Sequence, residues 1–319
     1  MSSNPHRKSR TPSPPNAAGP VSGAVAERLA GRPAWMDVDW RAQLRWVQLR
    51  GRPVNVLDMN PGPARPAVVF LHGLSGCWQN WLESIPPLSA DHRVIALDLP
   101  GFGESPMPGD PISVSDYARL VVELLDELGV QEATIVGNSM GGFIGCEMAI
   151  RFPARVQRLV LVAAAGLSLR HMRHERKRGL RARSENILFF GLGWLAARTD
   201  LVVRSRRLRR AMLLLVAAHP ERLPGPLIAE QAHGAGKPGF DDALEAMTAY
   251  PIRDRLGEIR CPALIVWGEE DRLVPVRDAA EFEWLIRDAR KVLYPDTGHM
   301  VMLEQPERFN ADVRAFIEA

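Results

Sequence analysis

A serine bracketed by glycines, Gly137-Asn138-Ser139-Met140-Gly141-Gly142, follows a β-branched run at residues 133–137 and precedes a helix-forming stretch at 143–151. A strand that turns sharply into a helix strains the residue between them, and only small flanking residues let the two backbones approach. Such a turn lifts the Ser139 hydroxyl above the sheet and aims the helix's first amides at an anion forming beside it. Serine is a weak nucleophile at neutral pH and needs a base, which a carboxylate must orient. Among the eight histidines, His299 in Asp296-Thr297-Gly298-His299-Met300 follows the last β-like run and is best placed. Glu269, Glu270 and Asp271 follow the run at 263–268, and each is a candidate for the orienting acid.

A second segment, Phe70-Leu71-His72-Gly73-Leu74-Ser75-Gly76, closes an early strand. Gly73 permits a turn there, so the N–H groups of Leu74 and Met140 can converge on one oxyanion. His72 is read as a structural hydrogen-bonding group that holds this loop. Trp78, Phe189, Trp194 and Met300 are apolar candidates for contact with a small-molecule substrate. His171 and His174 share the i, i+3 spacing of metal ligands, but the run HMRHERKR around them is cationic and lacks a carboxylate set, so no metal is expected. Neither GxxxxGK[ST] nor GxGxxG occurs, and no cofactor is expected. The 3 cysteines, Cys77, Cys146 and Cys261, lack CxxC spacing and predict neither a disulfide framework nor a zinc cluster.

From residue 43 onward, short β-branched runs alternate with helix-period segments, the pattern of an α/β protein with a mostly parallel central sheet flanked by helices. Residues 44–49 and 54–59, joined through Gly51-Arg52-Pro53, are predicted to open as an antiparallel pair. Buried strands are predicted at 67–71, 93–98, 133–137, 158–163, 263–268 and 290–294. Ser113 with Asp116 caps a helix whose Tyr117, Leu120, Val121, Leu124, Leu125 and Leu128 recur at helical spacing, and Gly129 ends it. Ser139, the acids and His299 each lie just past a strand's C-terminal end, so one edge of the sheet would gather them. Residues 167–250 break the alternation with Arg-rich and apolar helical segments, too long for a simple crossover. They are read as an inserted helical cap between core segments 43–166 and 251–319. Residues 1–42 are read as an N-terminal extension that is flexible at its start.

The 319 residues are 46% hydrophobic, with 40 Lys plus Arg against 37 Asp plus Glu. That balance describes a soluble globular chain with a sizeable core and excludes a disordered or collagen-like protein. The charge is uneven: residues 166–250 carry 15 basic and 8 acidic side chains. The Arg clusters at 170–183 and 204–210 fit a solvated helix face first, an anionic membrane surface or acidic partner second and nucleic acid last, with no nucleic-acid motif present. The basic N-terminus lacks an apolar segment after it, so no secretory signal is expected. The longest apolar runs, 159–169 and 187–197, fall short of the roughly 18 residues of a membrane span. A cytoplasmic location is expected.

HGLSG at 72–76, DLPGFGES at 98–105, GNSMGG at 137–142, WGEEDRLVP at 267–275 and DTGHM at 296–300 together resemble the successive landmarks of the α/β-hydrolase superfamily. The resemblance covers about residues 43–319. It implies the α/β-hydrolase fold and a Ser139–Asp271–His299 triad in that chain order, and it singles out Asp271 among the three acids. GNSMGG and WGEEDRLVP look closest to the branch of meta-cleavage-product hydrolases, cofactor-free haloperoxidase-like enzymes and small carboxylesterases. A serine at the turn, where haloalkane dehalogenases and epoxide hydrolases carry aspartate, disfavours those activities. The loop HGLSGCW is less glycine-rich than is usual in carbon–carbon hydrolases, and Met300 stands where those enzymes often have Trp. The expected activity is therefore hydrolysis of a carboxylic ester with a small to medium apolar acyl group. A carbon–carbon hydrolase or perhydrolase with the same triad is the first alternative; a non-enzymatic receptor or membrane-docking module is the second.

Overall fold

Side-chain alternation in the central strands divides the core into two layers. In β3 (Ala67–Leu71), Val69 and Leu71 pack on one face of the sheet while Val68 and Phe70 pack on the other. The computed structural model describes residues 33–62, 65–168 and 205–319. Its sheet also contains β1 (Leu44–Leu49), β2 (Arg52–Met59), β4 (Arg93–Leu97), β5 (Ala133–Asn138), β6 (Val156–Val162), β7 (Ala263–Gly268) and β8 (Ala289–Tyr294), in the order β1-β2-β4-β3-β5-β6-β7-β8. β2 runs antiparallel to β1 and β4; every pairing from β4 to β8 is parallel. Strands covered on both faces read as continuous apolar runs, and β3, β4, β5 and β7 are buried throughout.

One layer is closed by the helix Val114–Glu127, which buries Leu120, Val121, Leu124 and Leu125. Each such side chain, fully buried, stabilises the fold by about 1.5–3 kcal/mol. Ser113 caps this helix by accepting the Asp116 N–H at 3.0 Å. Its other end is a Schellman turn: Gly129 at φ 66 donates to Asp126 O (3.0 Å), and Val130 donates to Leu125 O (2.8 Å). The opposite layer packs Trp81, Ile85 and Leu88 against Phe309, Val313 and Phe316.

The opening hairpin differs from the expected one. The hairpin turns at Arg50-Gly51, not through Gly51-Arg52-Pro53, because Leu49 pairs with Arg52. Both turn residues have positive φ (51° and 72°), as a two-residue hairpin matched to strand twist requires. The Arg50 guanidinium bonds both oxygens of Glu123 at 2.8 Å. The described end of the N-terminal extension is packed on the core. Trp35 is buried and donates to Glu83 Oε1 (2.9 Å), and the Trp40 ring lies 5.2 Å from that of Trp78.

No strand occurs between β6 and β7 among the described residues, which form the helices Arg206–Leu213, Gly225–Gln231 and Phe240–Ala249. No described helix is long and apolar enough to cross a membrane.

Candidate active site

Ser139 sits at the junction of β5 and the helix Met140–Arg151, with φ 52° and ψ −113°. A serine at such angles costs roughly 1–3 kcal/mol, which the surroundings must impose. Its N–H donates to Val162 O (3.0 Å), and its carbonyl accepts from Phe143 and Ala165 (both 3.1 Å). The glycines explain how strand and helix come so close. A Cβ on Gly137 would lie 2.3 Å from the Gly141 backbone, and one on Gly141 would lie 2.1 Å from Leu71 O. The helix therefore starts at Met140, three residues before the expected 143, because packing requires glycines that helix propensity alone disfavours.

The turn at 73–76 abuts this junction: a Cβ on Gly73 would lie 3.2 Å from Ser139 Cβ. Gly76 N–H closes the turn onto Gly73 O at 2.9 Å, with Ser75 at φ 61°. Leu74 is thus the second turn residue and Met140 the first residue of the helix, where amides lack intrahelical acceptors. Beneath them, His72 Nε2 accepts the Leu99 N–H (3.0 Å). Its proton is therefore on Nδ1, which donates to Gly73 O (2.8 Å). Burial holds this imidazole below the usual histidine range.

His299 is 2% exposed, and its Nδ1 lies 2.8 Å from Asp271 Oδ2. Asp271 Oδ1 accepts two backbone amides, from Leu273 (2.8 Å) and Val274 (2.9 Å). A carboxylate with all three partners is an acceptor only, so His299 carries its proton on Nδ1 and presents Nε2 as a base. Glu269 and Glu270 are exposed, and neither takes Asp271's place beside the imidazole. The histidine's loop is tied to the serine's strand by Asn138, whose Nδ2 donates to Val162 O (3.1 Å) and His299 O (3.4 Å). It is seated on β7, since a Cβ on Gly268 would meet Gly298 O at 2.1 Å.

The substrate-contact candidates divide. Met300 is half-buried beside His299, and its N–H donates to Val216 O (3.0 Å). Trp78 is 4% exposed, and its ring packs on Trp40 in the layer that also holds Trp81. Phe189 and Trp194, like His171 and His174, lie outside the described residues.

Two carboxylates were given no role by the sequence. Asp98, 1% exposed, accepts the N–H of Trp78 (2.8 Å), the N–H of Glu104 (2.9 Å) and Asn55 Nδ2 (2.9 Å). It anchors the short turn that follows the Leu74 loop. Its signal was the DLPGFGES landmark, in which Gly103 is obligatory because a Cβ there would lie 2.1 Å from Asp98 Cγ. The other is Glu304, which accepts the N–H groups of Ala218 and Gly298. Among the described residues, His219, Glu270 and Asp296 group within reach of a cation. Arg222 already pairs with Asp296 at 2.6 Å, which places a positive charge where an ion would sit.

The geometry defines a hydrolase-type site: a strained serine at a helix N-terminus, a histidine oriented by an aspartate whose side chain is buried, and a glycine turn packed against the serine. Residues 66–306 match the family model of the alpha/beta hydrolase fold, and the chain belongs to that family. It is 31% identical to a 2-hydroxy-6-oxo-2,4-heptadienoate hydrolase of Pseudomonas putida over 86% of this chain and 96% of that protein. It is 30% identical to the dihydrolipoyllysine-residue acetyltransferase component of an acetoin cleaving system, also from Pseudomonas putida, over 86% of this chain, but spans only 66% of that protein's length. Among solved structures, a bacterial membrane phospholipase A superposes with a TM-score of 0.66 at 26% identity, covering 92% of this chain and 94% of that one.

Proposed function

We propose that the protein is a serine hydrolase that cleaves a carboxylic ester through an acyl-enzyme. Ser139 attacks the acyl carbon, and His299 Nε2 takes the hydroxyl proton and returns it to the leaving alcohol. Asp271 orients the ring and stabilises the imidazolium, while the amides of Leu74 and Met140 receive the oxyanion. Water then repeats the attack and releases the acid. The observation that carries this reading is the 2.8 Å His299–Asp271 hydrogen bond, in which the aspartate's other oxygen is already committed to two backbone amides. In this reading the described helices Arg206–Leu213, Gly225–Gln231 and Phe240–Ala249 belong to a cap that selects the acyl group, and the three unpaired cysteines suit a reducing cytoplasm.

The test is a panel of p-nitrophenyl acetate, butyrate, hexanoate and octanoate, a ring-cleavage dienoate, and acetate plus peroxide, run on wild type and Ser139→Ala. Burying each added methylene contributes about 0.8 kcal/mol, so kcat/KM is expected to rise roughly fourfold per carbon until the pocket is full. Wild-type ester turnover by Ser139→Ala would overturn the nucleophile. A flat response from acetate to octanoate would overturn the apolar acyl pocket. The similarity to a dienoate hydrolase favours a second reading, carbon–carbon hydrolysis by the same residues. Dienoate turnover far above that of every ester would replace the first reading with it.

A further inference from the structure

Resting on the serine-hydrolase reading, we propose that Glu304 is a positioning residue for His299: its carboxylate clamps the histidine's loop to the segment 216–218. Glu304 ends the short helix Val301–Glu304, which begins two residues after the histidine. Its Oε1 accepts the N–H of Gly298, His299's immediate neighbour, at 2.9 Å. Its Oε2 accepts the N–H of Ala218 at 2.7 Å. On the other side of His299, Met300 N–H donates to Val216 O at 3.0 Å. The segments 216–218 and 298–300 are therefore joined by bonds on both sides of the histidine, and one carboxylate supplies two of them.

The chemistry of this contact accepts few substitutes. The groups that bond Glu304 are backbone N–H donors, Gly298 on one side and Ala218 with its neighbour His219 on the other, so only an end group with two acceptor oxygens satisfies both sides. Glutamine would satisfy one and turn an amide hydrogen toward the other; aspartate is one methylene too short to span them. The two segments leave no room to adjust, since a Cβ on Gly298 would lie 2.6 Å from Ala218 N. Burial raises the Glu304 pKa, so the anion is held at a cost that the amide bonds offset.

The consequence falls on the histidine's placement and leaves its partner bond alone. Asp271 holds the ring through one hydrogen bond at Nδ1, which by itself does not fix where Nε2 lies. Where Nε2 sits relative to Ser139 depends on the backbone at 298–300. Releasing Gly298 lets that backbone drift while the Asp271 bond persists, and a displacement on the order of 1 Å costs up to about 100-fold in rate.

The experiment compares full-length wild type, Glu304→Gln and Glu304→Asp with p-nitrophenyl butyrate, together with the rate of Ser139 labelling by a fluorophosphonate. Both variants are expected to lose about 10- to 100-fold in kcat, with KM within about threefold, and to label more slowly by the same factor. In a His299→Ala background, adding Glu304→Gln should cost nothing further, because its effect passes through the missing ring. Unchanged kcat, or the same fold loss with and without His299, would overturn the positioning role, as would failure of both variants to fold. Full activity of Ser139→Ala would instead overturn the serine-hydrolase reading itself, so the two failures are distinguishable.

Discussion

Asp271→Asn isolates the contribution of tautomer to this site, because the structure dictates which way the new amide must face. Asp271 Oδ1 accepts N–H groups from Leu273 and Val274 at 2.8 and 2.9 Å, and an amide nitrogen cannot accept either. The asparagine carbonyl must therefore keep that position, which turns the NH2 toward His299 Nδ1, now 2.8 Å from a carboxylate oxygen. Two donors cannot face each other, so the imidazole shifts its proton to Nε2 and loses the lone pair that would accept the Ser139 proton. Both backbone bonds survive and one ring bond is exchanged for another, so stability should change by less than about 1 kcal/mol. The rate should not survive: loss of the correct tautomer in a serine triad costs about 10⁴-fold in kcat, or about 5.4 kcal/mol at 1.36 kcal/mol per decade. Steady-state kinetics on p-nitrophenyl butyrate with thermal melts checks both halves. Glu269→Gln and Glu270→Gln serve as controls and should keep wild-type rates. If the Asp271→Asn variant stays within tenfold of wild type, the orienting role fails, and loss of activity in either control would move that role to the neighbouring acid.

Ser139→Ala should lower kcat by about 10⁴- to 10⁶-fold and abolish fluorophosphonate labelling while the protein remains folded. His72 is held neutral below its ordinary pKa, so its contribution to stability is complete above about pH 6.5 and is lost as pH falls through that value, where only the unfolded chain takes up the proton. Urea unfolding should therefore show a slope of up to about 1.4 kcal/mol per pH unit between pH 6.5 and 5.5 that is missing in His72→Gln; identical slopes would place a proton on the native ring. Gly141→Ala drives a Cβ to 2.1 Å from the Leu71 carbonyl, where no side chain can yield, and should cost more than about 4 kcal/mol or prevent folding. Gly129→Ala, at φ 66 in open space, should cost only about 1–2 kcal/mol in the same assay.

Features encoded by neighbouring residues were legible from the chain. The buried strands read as β-branched runs because they are covered on both faces, and the helix Val114–Glu127 read from its Ser113 cap, its apolar stripe and Gly129. The serine's turn was recognisable because close approach of strand and helix demands glycines at fixed offsets from Ser139. What depended on distant contacts was not legible. Arg50 takes a positive φ in a two-residue hairpin while its side chain bonds Glu123, 73 positions on. In the N-terminal extension, Trp35 is buried and bonds Glu83, and the half-buried Trp40 packs on Trp78, contacts that no local pattern announces. The burial of Trp78 was equally unreadable, because an aromatic side chain serves core or pocket and only its neighbours decide.

The composition and motif order of the chain determine an α/β sheet that gathers Ser139, His299 and an acid at one edge, since strand direction alone brings those three loops together. The family resemblance of WGEEDRLVP assigns Asp271, but the physical reason lies in tertiary structure: Glu269, Glu270 and Asp271 are chemically alike and adjacent, and only the path of the loop after β7 buries one of them under the Leu273 and Val274 amides. The same holds for Asp98 and Glu304, whose partners lie up to 86 positions away. A carboxylate's role follows from the donors that surround it, and those donors are assembled only when the chain folds.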